Sequence, residues 1–140
     1  MKYLTYAFYL LLTCLFVISC DKRSEMPVQL DVRFDEWTDG PGLRLRLSGE
    51  INDSRCPHIP ANPVDCFWQG QATGTMVTEI GNTVHNIPYT IEGICHQGAD
   101  PCGNFVDTLG YKFQFLFLAP YPDGTDPNVD YVLSVEVEKK

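Results

Sequence analysis

Apolar residues recur at every second position in one short stretch after another of this chain, and that period of two constrains its fold more than any other feature. Val28, Leu30, Val32 and Phe34 alternate with Gln29, Asp31, Arg33 and Asp35, the pattern of a strand with one face buried and one in water. After the turn formers Asp39-Gly40-Pro41-Gly42, Leu43, Leu45 and Leu47 alternate with Arg44, Arg46 and Ser48. This second strand is expected to pair antiparallel with the first and to set arginines opposite aspartates. Ala72 to Ile80 is threonine-rich and ends at Gly81-Asn82, which predicts a strand and a turn. Ile87, Tyr89 and Ile91 resume the alternation, and Pro88 within that run predicts an edge or bulged strand, because proline donates no ladder hydrogen bond.

Tyr111, Phe113, Phe115 and Phe117 share one face, and Leu116 and Leu118 make the other face apolar as well, so this strand is expected at the centre of a sheet. Ala119-Pro120-Tyr121-Pro122-Asp123-Gly124 breaks it. A last strand follows, with Tyr131, Leu133, Val135 and Val137 in alternation. No segment after the first 20 residues sustains a helical period. Six to seven short strands with regular turn signals predict an all-β antiparallel sandwich, Ig-like in general architecture.

The chain begins differently. Met1-Lys2 leads into Tyr3 to Ile18, uncharged and almost free of polar side chains, and Val17-Ile18-Ser19-Cys20 closes it. A segment this short is a secretion signal more than a membrane span. The closing run resembles the lipobox of bacterial lipoprotein signal peptides. That resemblance implies that residues 1–19 are removed and that Cys20 is lipidated as the first residue of the mature chain. Several acyl chains make such an anchor effectively permanent, at about 0.8 kcal/mol per buried methylene. Residues 20–27, with Asp21-Lys22-Arg23-Ser24-Glu25 before Met26-Pro27, then read as the lipidated cysteine and a tether, and residues 28–140 as a single domain. The expected location is the cell envelope, at the outer membrane, with the face left open.

Losing Lys2 leaves 9 lysines and arginines against 18 aspartates and glutamates, a balance of about −9 that argues against nucleic acid as a partner. Cys14 falls in the signal. Cys56, Cys66, Cys95 and Cys102 remain, an even number in an oxidising compartment, and two disulfides are expected. Three connectivities are open. The local one, Cys56 with Cys66 and Cys95 with Cys102, closes two short loops worth roughly 2.5 to 3 kcal/mol each in the chain-entropy model, and is preferred.

Asn52-Asp53-Ser54-Arg55-Cys56-Pro57 followed by Cys66-Phe67-Trp68-Gln69-Gly70-Gln71-Ala72 resembles a D-S-R-C-P and C-x-W-x-G-x-A pattern of small bacterial lipoproteins without an established activity. Ala119-Pro120-Tyr121-Pro122 and the valine-rich end fit the same pattern. The resemblance implies fold and location and transfers no catalytic residue. The gap between Cys56 and Cys66 is longer here than in that pattern. Asp53 and Arg55 can hydrogen-bond turn amides and carbonyls, Trp68 can pack on the disulfide, and Gly70 permits close backbone approach.

Three segments carry chemistry that a site could use. The loop with His58, Ile59, Pro60, Asn62 and Pro63 is a candidate partner-binding loop, since prolines and a disulfide reduce the entropy lost on binding. Asp123, Asp126 and Asp130 are a weak calcium candidate without EF-hand spacing. Cys95-His96 with Cys102, His58 or His85 suggests a transition metal only if the cysteines are reduced, so no metal is assigned. Neither G-x-S-x-G nor H-E-x-x-H occurs, and no catalytic residue and no cofactor is expected. The reading is a lipid-anchored envelope protein that binds or associates with an envelope protein partner. Its alternatives are a small inhibitor presenting the Cys56 to Cys66 loop and a calcium-dependent binding module.

Overall fold

The computed structural model describes residues 26–57, 67–93, 102–122 and 129–140. These form eight strands and no helix: β1 (Val28–Arg33), β2 (Thr38–Gly40), β3 (Leu43–Asp53), β4 (Gln71–Ile80), β5 (Thr83–Glu92), β6 (Phe105–Thr108), β7 (Tyr111–Ala119) and β8 (Val132–Lys139). They make two four-stranded antiparallel sheets, in the orders β1-β8-β7-β6 and β2-β3-β4-β5. The expected sandwich is therefore the observed fold.

Period-two patterning becomes the core directly. Leu43, Leu45, Leu47, Ala72, Met76, Ile87, Tyr89 and Ile91 point inward from one sheet, and Val32, Tyr111, Phe113, Phe115, Leu133, Val135 and Val137 from the other. All are buried. Tyr89 and Phe115 join the two layers, with tilted rings whose centroids lie 5.7 Å apart, a geometry that favours aromatic pairs.

The first two sequence strands do not pair with each other. β1 pairs instead with the last strand, Val28 opposite Val137 and Arg33 opposite Val132. Between them the chain changes sheets: Phe34 bridges Leu47 in parallel, and Asp35, at a φ of 53°, donates its amide to Leu47 O at 3.1 Å. The predicted arginine–aspartate facing survives only where the chain crosses over, Arg46 Nη1 lying 3.9 Å from Asp35 Oδ1. Arg44 meets Glu79 at 2.7 Å, and Arg44 and Arg46 lie over the Trp37 ring at 5.0 and 4.7 Å, whereas Asp31 accepts a bond from Ser134 Oγ.

Turns were more legible. Ile80 faces Thr83 across Gly81-Asn82, and Gly81 alone of that pair has positive φ, 61°, the requirement of a two-residue hairpin with glycine first. β5 is the edge of its sheet. The amides of Thr90 and Glu92 point away from β4, to Asn104 Oδ1 and Cys102 O, so by alternation the nitrogen of Pro88 also faces outward and costs the ladder nothing.

β7 is interior, as expected, but its shared face breaks. The register shifts between Phe115 and Phe117, so that Leu118, not Phe117, becomes buried. Such a bulge turns the following residue inward. It also carries the end of β7 toward the segment after β3, where the candidate site lies.

Candidate functional site

Each sheet presents two ends, and registers fix which residues share them. Val28, Lys139 and Tyr111 lie at one end, since Val28 faces Val137 and Tyr111 faces Lys139. Tyr111 Oη donates toward the carbonyls of Pro41 and Gly42 there, tying the second sheet to the same end. Asp53, Gln71, Glu92 and Ala119 lie at the opposite end. The Asp53-Ser54-Arg55-Cys56-Pro57 motif leaves β3 at this second end.

Its first half is a buried polar lock. Arg55 is 3 % exposed. Its guanidinium forks onto Asp53, Nε to Oδ1 at 2.8 Å and Nη2 to Oδ2 at 2.6 Å. The remaining donors reach Leu118 O at 2.6 Å and Pro120 O at 3.1 Å, in the other sheet's strand end. The Tyr121 ring lies 4.6 Å from the guanidinium carbon, and Tyr131 Oη donates to Asp53 Oδ2 at 3.0 Å. Planar, multiply donating guanidinium suits this joint as a point-charge ammonium does not. Asp53 and Arg55 thus bond turn carbonyls and amides as anticipated, and they also bond each other, which spacing alone did not indicate.

This lock perturbs three phenols. Burial, then the Asp53 charge and the hydrogen bond to it, push Tyr131 up to about 12, with Arg55 partly offsetting them. Tyr121 rises for burial first, and buried Tyr89 rises as well, again through desolvation before the partly opposing charges of Arg55 and Asp53. For Tyr131 the neutral form is favoured in the folded state, so its stabilising contribution is complete below pH 10. It is lost as pH rises from about 10 toward about 12, where the unfolded chain releases the proton first. Urea unfolding from pH 9 to 11.5 should show stability falling more steeply in the native protein than in Tyr131→Phe; parallel profiles would contradict this coupling.

The second half of the motif lines an open cleft of about 540 Å³, bounded by Ser54, Arg55, Cys56, Pro57, Phe67 and Trp68. Backbone bonds hold its rim: Ser54 N to Gln71 O at 2.9 Å, Cys56 N to Gln69 O at 3.2 Å and Gly93 N to Gly70 O at 3.0 Å. Gly70 is required for this approach, as a Cβ there would stand 1.8 Å from Ser54 O. The expected packing of Trp68 on the disulfide involves Cys66, outside the described residues; Trp68 lines the cleft together with Cys56. It is 79 % exposed, beside a fully exposed Phe67, both in the segment that leads into Gly70 and β4.

Cys56 and Cys102 are each in a disulfide form; Cys66, Cys95 and the choice of connectivity lie outside the described residues, as do Cys20, the loop residues His58, Ile59, Pro60, Asn62 and Pro63, and Asp123 and Asp126 of the calcium candidate. Asp130 is described, exposed, and 4.0 Å from Arg33 Nη1. Among the described residues no cluster of three His, Cys, Asp or Glu side chains is placed to hold a metal ion, and no helix is long and apolar enough to cross a membrane. The Phe67-Trp68 cleft was missed by sequence reasoning, although the adjacent aromatics before Gly70 were a usable signal. Compared with protein-family models, with characterised proteins and with solved structures, the chain matches none.

Proposed function

We propose that this chain is a lipid-anchored protein of the bacterial cell envelope, held at the outer membrane through Cys20, that acts by binding a protein partner. The observation that carries the binding reading is the pair of exposed rings, Phe67 and Trp68, set on a rigidly backed apolar cleft. Exposed aromatic anchors beside a concavity are characteristic of recognition surfaces. Binding is favoured over catalysis because the ionisable pair at the cleft, Asp53 and Arg55, is consumed by its own contacts and by the carbonyls of Leu118 and Pro120. The local disulfides, Cys56 with Cys66 and Cys95 with Cys102, belong to the same proposal and would stiffen the loops at that end.

Anchoring is tested by labelling growing cells with a radioactive fatty acid and fractionating their membranes. The native chain should incorporate label and sediment with membranes. Cys20→Ser should incorporate none while keeping a folded domain; an unlabelled native protein, or a labelled serine variant, refutes the anchor.

A further inference from the structure

We draw no further inference here: the strongest candidate, the open cleft that Phe67 and Trp68 border at the end of the β2-β3-β4-β5 sheet, carries nothing because nothing in the structure shows what covers it.

Discussion

Asp53→Ala should remove about 3 to 5 kcal/mol of folding stability, measured by urea denaturation. The side chains of Asp53 and Arg55 are 5 % and 1 % exposed, so the substitution leaves a buried guanidinium without its counter-charge, and that desolvation is uncompensated. Tyr131 Oη loses its acceptor at the same time. A domain of this size has about 5 to 15 kcal/mol in total, so the variant should be marginal at 37 °C. Asp107→Ala is the matched control. Its partner Lys140 is about half exposed, as Asp107 is, and solvent-screened pairs contribute at most about 1 kcal/mol. The double variant Asp53→Ala/Arg55→Met should recover part of the loss, because two apolar side chains need no counter-charge. Recovery stays incomplete, since the carbonyls of Leu118 and Pro120 lose their donors. Equal losses in Asp53→Ala and Asp107→Ala would refute the description of the lock.

Gly70→Ala should cost about 3 to 5 kcal/mol, since it combines two penalties that act independently. At a φ of 65° an L residue is strained, and its Cβ would stand 1.8 Å from Ser54 O, backbone that cannot rotate aside. Gly81→Ala separates the two. Its φ is 61° but nothing lies within 4 Å of the added carbon, so only the left-handed cost of about 1 to 2 kcal/mol applies. The difference between the variants, read as a shift in denaturation midpoint at constant slope, measures the closeness of the rim to Ser54. Gly70→Ala should also weaken any ligand of the cleft, because Phe67 and Trp68 are carried by the turn that must move.

The strands that could be read in advance were those with one wet face. Leu43, Leu45 and Leu47, or Ile87, Tyr89 and Ile91, alternate because each inward position is a core position. β6 is not legible in the sequence because it has only four residues, its inward positions Val106 and Thr108 are half-buried and its large apolar residue, Phe105, faces outward, so burial leaves no apolar alternation in the sequence. Its hairpin turn is also disguised: Leu109, at a φ of 58°, occupies a left-handed position where Asn or Gly is the usual marker. β2 was concealed inside turn formers, Asp39 and Gly40 serving as strand residues opposite Arg44 and Leu43. Period two places Phe117 on the buried face, but the bulge between Phe115 and Phe117 puts Leu118 there instead, and alternation does not reveal a bulge.

At the cleft, the sequence identified Asp53, Arg55 and Gly70 as unusual, and the hydrogen-bonding capacity of the first two and the small size of the third are local properties. Pairing was not local. Arg55 meets Leu118 and Pro120, more than 60 positions away, and a buried guanidinium is tolerable only where such distant carbonyls converge on it. The sequence by itself determined an all-β chain, its principal turns, its acidity and the inward-facing residues, because alternation, φ preference and charge are carried by each residue and its neighbours. The tertiary structure alone decided that β1 lies beside β8, that Asp53 and Arg55 are buried as one unit, and that Phe67 and Trp68 stand exposed at the end opposite Val28. Those outcomes depend on which strands are adjacent in space, and that adjacency is a property of the packed chain as a whole.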